Sequence, residues 1–201
     1  MQQPGNQVPM SSVCVYCGSA DGIPAKYLEA ARAMGLTLAR RGVELVYGGG
    51  RTGLMGAVAD GALAGGGQVT GILVASMNTH ALAHAGLTRL EVLPTIHQRK
   101  ARMYELADGY IALPGGYGTL DELFETLTWA QIGVHEKPVG LLNVSGYYDA
   151  LLAMLNRAAD DQFIFPEHRR ALLCDSDPES LLQAMQAHRP AREAVERWMR
   201  R

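Results

Sequence analysis

The chain has 201 residues, 48% of them hydrophobic and 19% charged, which suits one well-packed globular domain and leaves little room for a second. Its 18 Lys and Arg against 20 Asp and Glu give a formal net charge of −2, so no basic footprint for nucleic acid or an anionic membrane exists, and no run is apolar enough to span a bilayer. The three cysteines form no disulfide framework, as expected of a protein in a reducing cytoplasm.

Met1 to Ser12 is polar, lacks charge and lacks an apolar core; residues 1–12 are expected to be a loose tail and residues 13–201 the folded domain. Val13 to Tyr16 reads as a first strand, Pro24 to Arg41 as a helix with Pro in its first turn and Gly42 past its end. Val43 to Tyr47 is a second strand, Gly53 to Ala64 a helix, and Gln68 to Leu73 a third strand. Val74 to Thr88 shows no period. A short strand at Arg89 to Leu93 precedes a helix at Ile96 to Ala107, a strand at Tyr110 to Leu113 and a helix at Leu120 to Ile132. Then follow a strand at Pro138 to Leu142, a helix at Tyr147 to Ala159, a strand at Ala171 to Cys174, and helices at Pro178 to Ala187 and Ala191 to Arg200. This alternation predicts an α/β fold, a Rossmann-like doubly wound parallel sheet in a single domain.

Ligands of such sheets sit beyond the carboxyl ends of the strands. Three glycine-bearing loops fall there: Gly18-Ser19, Gly48 to Gly56, and Pro114 to Gly118. In the last, Pro114-Gly115-Gly116-Tyr117-Gly118-Thr119-Leu120-Asp121-Glu122, a strand ends, a glycine loop follows and a helix begins. Amide N–H groups and a helix dipole converge there on an anion, which suits a phosphate. No Gly-Lys-Ser/Thr follows, so this is not a Walker A loop. Thr119 and Glu122 also fit a capping box. Against that, Leu120, Leu123, Phe124 and Leu127 form one apolar stripe, and Glu122 lies away from it on a side shared with Thr126 and Trp129. The aromatic residue on that second face predicts contact with another protein surface.

Arg99 and Lys100 flank the apolar stripe of the Ile96 to Ala107 helix, either snorkelling to solvent or reaching an anion. The loop Gly48-Gly49-Gly50-Arg51-Thr52-Gly53-Leu54-Met55-Gly56 loosely matches a dinucleotide fingerprint, but the third strand leads into Val74-Ala75-Ser76 without the expected acidic residue. It reads as a close-approach loop against sugar or base. Cys14-x-x-Cys17 lacks the further ligands of a zinc site, and His80 and His84 read as a surface pair, so no metal is expected.

Together, the Pro114 to Glu122 signature, the Arg99-Lys100 pair and the Gly48 to Gly56 loop resemble the Lonely Guy family of cytokinin riboside 5′-monophosphate phosphoribohydrolases, once labelled lysine decarboxylases. The resemblance runs from about Val13 to Tyr148. It implies hydrolysis of the N-glycosidic bond of a purine nucleoside 5′-monophosphate, with Arg99 and Glu122 as the catalytic pair. Substrate contacts would come from Lys100 and from Gly115, Gly116, Tyr117, Gly118 and Thr119 on the 5′-phosphate. Gly18, Ser19, Gly49, Gly50 and Met55 complete the expected contacts. It implies no metal or organic cofactor, and a homodimer with sites near the subunit contact. Plant members usually carry an acidic residue where this chain has Ala81-Leu82-Ala83-His84, so adenine and prenylated adenine both stand as the base. The fold also resembles non-catalytic molybdenum-cofactor carriers, which need the phosphate loop but not Glu122.

Overall fold

The computed structural model of the chain describes residues 10–200. Seven strands form one parallel sheet in the order β4-β3-β2-β1-β5-β6-β7. They are β1 (Ser12–Tyr16), β2 (Glu44–Tyr47), β3 (Val69–Val74), β4 (Arg89–Leu93), β5 (Gly109–Ala112), β6 (Val139–Leu142) and β7 (Leu172–Asp175). The helices are α1 (Ala25–Arg40), α2 (Gly53–Ala64), α3 (Ile96–Leu106), α4 (Tyr117–Gln131), α5 (Asp149–Asp160), α6 (Pro166–Ala171), α7 (Pro178–Gln186) and α8 (Arg192–Met199).

Alternation along the strands divides the core in two. Val13 and Val15 of β1 join Leu45, Tyr47 and Ile111 under α1, α2 and α7. Cys14 and Tyr16 join Val46, Tyr110 and Ala112 under α3, α4 and α5. Both faces are covered, so the central strands are apolar runs rather than alternating ones. On the first face α1 and α2 cross in close contact. A Cβ on Gly35 would lie 2.0 Å from the Val58 carbonyl oxygen, and one on Gly61 would lie 2.2 Å from that of Arg32. Two glycines inside helices, costly in isolation, are what allow that approach.

The chain runs outward from β1 through β4, then returns to place β5 on the other side of β1, pairing Tyr16 with Ala112. The strand order reverses between β1 and β5, and a crevice opens beyond their carboxyl ends. Of the expected tail, residues 1–9 lie outside the described residues, but its last part belongs to the fold. Met10 is buried, and Ser11 and Ser12 donate backbone and hydroxyl hydrogen bonds to Asp108 Oδ2, fixing the start of β1.

Two other departures concern local elements. Pro166–Ala171 is a helix that the sequence pattern did not show; it has only 6 residues, with Pro at its start and Glu167 in the first turn. The aperiodic stretch after β3 begins with a single 3₁₀ turn at Ala75–Met77 and then folds back, bridging Ala83 to Gly50.

Candidate active site

The three glycine loops meet at the crevice and are stitched together by backbone. Gly18 N–H donates to the Pro114 carbonyl (3.0 Å), while the Gly18 carbonyl accepts from Leu54 N–H (2.9 Å) and Met55 N–H (3.3 Å). Thr52 Oγ1 donates to the Ser19 carbonyl (2.7 Å), and Gly53 N–H to Asp21 Oδ1 (3.3 Å). The leading amides of α2 are therefore spent on the protein itself.

Helix α4 differs. Its first internal bond is Leu120 N–H to the Gly116 carbonyl (3.1 Å), and the N–H groups of Gly116, Tyr117, Gly118 and Thr119 have no protein acceptor among the described residues. A row of open donors at a helix N-terminus can hold an anion. The expected capping box is not formed: α4 starts at Tyr117, and Gly116 occupies the cap position without a side-chain hydrogen bond. Thr119 is instead buried against the loop, where its Oγ1 would lie 2.1 Å from a Cβ on Gly115. Glu122 is thereby free of capping duty.

It is used elsewhere. Thr95 caps α3 by accepting from Gln98 N–H (3.2 Å), and the first turn of that helix presents Arg99 to α4. Arg99 Nε donates to the Ile72 carbonyl (2.9 Å) and Nη1 to Glu122 Oε1 (3.0 Å), with both side chains only 12% exposed. Burial pushes the Glu122 carboxyl above the ordinary glutamate value, against the opposing pull of the Arg99 charge. Only Oε1 has a protein partner among the described residues; Oε2 is left for a ligand or water. The guanidinium lies on Gly48, where a Cβ would fall 2.1 Å from Nη2. So the close approach foreseen for the Gly48 loop is made by the protein's own Arg99 and Met55.

A cavity of about 650 Å³ joins these parts. Among the expected residues it is lined by Gly18, Ser19, Gly50, Met55, Arg99, Gly115 to Thr119 and Glu122. Gly49 and Lys100 do not line it. Gly49, with φ 75°, backs onto Ile72 and Leu73. Lys100 points along α4, bonded to Asp121 (2.9 Å) and Glu125 (3.1 Å). Burial pulls on its ammonium, but the two carboxylates outweigh it and hold the group above its ordinary value. Lys100 is thus a helix-to-helix tether. The wall also includes Cys17, Tyr27, Met77, Leu82, Ile96 and Tyr147, none of them among the expected substrate contacts. Met77 and Leu82 come from the aperiodic stretch, whose bonds run to the glycine loop: Arg51 N–H to the Leu82 carbonyl (2.9 Å) and His84 N–H to that of Gly49 (3.0 Å). The cavity accordingly has an amide-lined end and an apolar end of Met55, Leu73, Met77, Leu82 and Ile96.

Trp129, expected to meet another protein surface, is half-buried against its own chain. Its ring packs edge-on against Tyr104 of α3 (4.8 Å, 90°), and Thr126 on the same side is buried, accepting or donating with the Tyr16 hydroxyl at 3.1 Å. That side of α4 rests on α3 and β1 of its own chain. His84, for its part, meets Asp60 at 3.1 Å across α2.

A family model described as possible lysine decarboxylase matches residues 55–185. A cytokinin riboside 5′-monophosphate phosphoribohydrolase of Arabidopsis thaliana is 43% identical over 178 residues, 89% of this chain and 82% of that one. A probable enzyme of the same name from Oryza sativa subsp. japonica is 42% identical over 183 residues, 91% of this chain and 73% of that one. The chain belongs to the cytokinin riboside 5′-monophosphate phosphoribohydrolase family. The phosphoribohydrolase-family fold extends to proteins of other names. A molybdenum cofactor binding protein of Rippkaea orientalis superposes with a TM-score of 0.68 at 25% identity, over 90% of this chain and 98% of that one. A molybdenum cofactor carrier protein of Chlamydomonas reinhardtii, at 18% identity and a TM-score of 0.65 over 89% of this chain and 97% of that one, shares the fold alone.

Proposed function

We propose that the chain hydrolyses the N-glycosidic bond of a purine nucleoside 5′-monophosphate, releasing the free base and ribose 5-phosphate. The observation that carries this reading is the Arg99–Glu122 pair standing one helical turn, ~5.4 Å, from the open amides of α4. With the 5′-phosphate on the N–H groups of Gly116 to Thr119, the ribose lies beside Glu122 and the base extends toward the apolar end. Departure of the base builds positive charge on the ribose, which the carboxylate stabilises. Glu122 Oε2 is the atom available to orient water and take its proton, and Arg99 holds Oε1 so that the other oxygen faces the cavity. The substrate phosphate is met by amides and the helix dipole rather than by Lys100.

The apolar end suits a base carrying an apolar substituent and also admits plain adenine; the relatives are named for cytokinin ribosides. No lysine lines the cavity, and Lys100 is held protonated by two carboxylates, the opposite of what a Schiff-base lysine requires, so decarboxylation through pyridoxal phosphate has no support here. No helix among the described residues is long and apolar enough to cross a membrane. A cytoplasmic homodimer without nucleic-acid partners is the setting we assign. Exposed Leu90 and Val92 on edge strand β4 and Ile96 at the cavity mouth support the association, and the net charge of −2 supports the lack of nucleic acid.

Incubation with AMP and with N6-isopentenyladenosine 5′-monophosphate, followed by chromatography, tests the reading. Free base with ribose 5-phosphate is expected. Tight binding without release from either would favour the carrier reading that the Rippkaea orientalis neighbour keeps in view.

A further inference from the structure

We propose that Tyr147 is a positioning residue that aims the Gly116 N–H at the substrate phosphate. The inference rests on the reading that the α4 N-terminus takes that phosphate. Three successive carbonyls precede the open amides, and each is tied down by a different residue. Tyr148 Oη donates to the Leu113 carbonyl (2.6 Å), Gly18 N–H to that of Pro114 (3.0 Å), and Tyr147 Oη to that of Gly115 (2.7 Å). In a planar trans peptide the C=O of one residue and the N–H of the next point in opposite directions. Holding the Gly115 oxygen therefore sets the direction of the Gly116 N–H. Holding the Leu113 oxygen sets no amide at all, because residue 114 is proline and has no N–H.

The turn that delivers the two tyrosines is itself fixed. Ser145 (φ 51°) and Gly146 (φ 74°) take left-handed conformations after β6, and Asn143 Oδ1 accepts from Tyr148 N–H at 2.7 Å. The Tyr147 ring is held without its hydroxyl, edge-on to Tyr27 (5.8 Å) and to Tyr148 (5.1 Å). Tyr147 lines the cavity at 43% exposure, whereas Tyr148 is buried and does not line it. Since the Tyr147 hydroxyl has one proton and gives it to Gly115, its contribution to phosphate binding passes through the loop rather than through direct donation.

The adjacent tyrosines supply their own control. Titration of ribose 5-phosphate into the full chain by calorimetry is expected to show Tyr147→Phe binding roughly tenfold more weakly, the scale of one misdirected hydrogen bond to a charged group. Tyr148→Phe is expected to bind within about twofold of the parent while melting several degrees lower, because it strands a buried carbonyl. In turnover, Tyr147→Phe raises KM for the nucleotide with kcat little changed. Equal affinity of Tyr147→Phe and parent for ribose 5-phosphate overturns the proposal, as does an equal loss in both variants. Failure of the parent itself to bind ribose 5-phosphate removes the phosphate reading and the inference with it. Binding without any base release removes only the hydrolase reading and leaves the role of Tyr147 standing.

Discussion

Replacing Gly48 by alanine perturbs the proposed catalytic pair apart from the rest of the fold. A Cβ there would lie 2.1 Å from Arg99 Nη2 and 2.5 Å from Met55 Cε, both at the ends of flexible side chains. The backbone tolerates alanine, since Gly48 is not among the positive-φ glycines. To regain ordinary contact the guanidinium must retreat by roughly 1.3 Å. A retreat directed away from Glu122 lengthens the 3.0 Å bond to as much as about 4.3 Å, beyond hydrogen-bond range. At an effective dielectric near 20 the pair then loses roughly 1.5 kcal/mol of attraction. That is about tenfold, and misalignment of the carboxylate extends the expected loss in kcat/KM to roughly 10- to 100-fold. The assay is base release from the nucleotide, with circular dichroism and thermal melting showing the fold retained. The acid limb of the pH profile should also move upward, because Glu122 loses part of the charge that opposes its burial. Activity within twofold of the parent with an unmoved acid limb would refute the assigned role of Gly48 and the rigidity attributed to the pair.

Three further outcomes follow from the same geometry. Gly118 lies in the first turn of α4 with nothing within 4 Å of a Cβ, so Gly118→Ala is expected to stabilise the fold by about 0.5–1 kcal/mol, raising the melting temperature, while the methyl group intrudes on the anion site and weakens ribose 5-phosphate binding. Burial raises Glu122 and Arg99 only partly offsets it, so the rate is expected to fall as pH drops through a value above the ordinary glutamate range; a titration matching a free carboxylate would contradict this. Burial raises Asp108, but the hydrogen bonds from Ser11 and Ser12 outweigh it and hold the carboxyl below its ordinary value. A depressed carboxyl contributes stability above its unfolded value, near 3.9, that is lost as pH falls through the folded one. Asp108→Asn should therefore lower the melting temperature at pH 7 and flatten its acid dependence, measured by melting from pH 7 down to 3.

Strands such as Val13 to Tyr16 were legible because burial on both faces leaves an uninterrupted apolar run, and Pro24 and Gly42 bracket the first helix as helix chemistry requires. The Pro114 to Glu122 segment announced an anion site at a strand-to-helix junction. That the leading amides of α2 are taken up by the protein itself was not legible. The acceptors that close α2, the Gly18 carbonyl and Asp21, come from a loop distant in sequence. Nor could spacing choose between Arg99 and Lys100: adjacent helical residues diverge by about 100°, and the pull of Asp121 and Glu125 on Lys100 is a tertiary fact. The capping-box match at Thr119 misled because the helix begins three residues earlier, at Tyr117, with Gly116 at its cap. Met77 and Leu82 left no period because their segment bonds to the Gly49–Arg51 loop instead of extending a ladder.

In the proposed reaction Glu122 performs chemistry on a nucleotide that the α4 loop merely holds, and Glu122→Gln separates these two roles. The variant keeps the shape of the side chain and an acceptor for Arg99, and removes the charge. Compared side by side with the parent for base release and for ribose 5-phosphate affinity, it should bind within a fewfold of the parent and release base roughly 10²- to 10⁴-fold more slowly. Release at the parental rate would contradict the account and move the chemistry away from the Arg99–Glu122 pair.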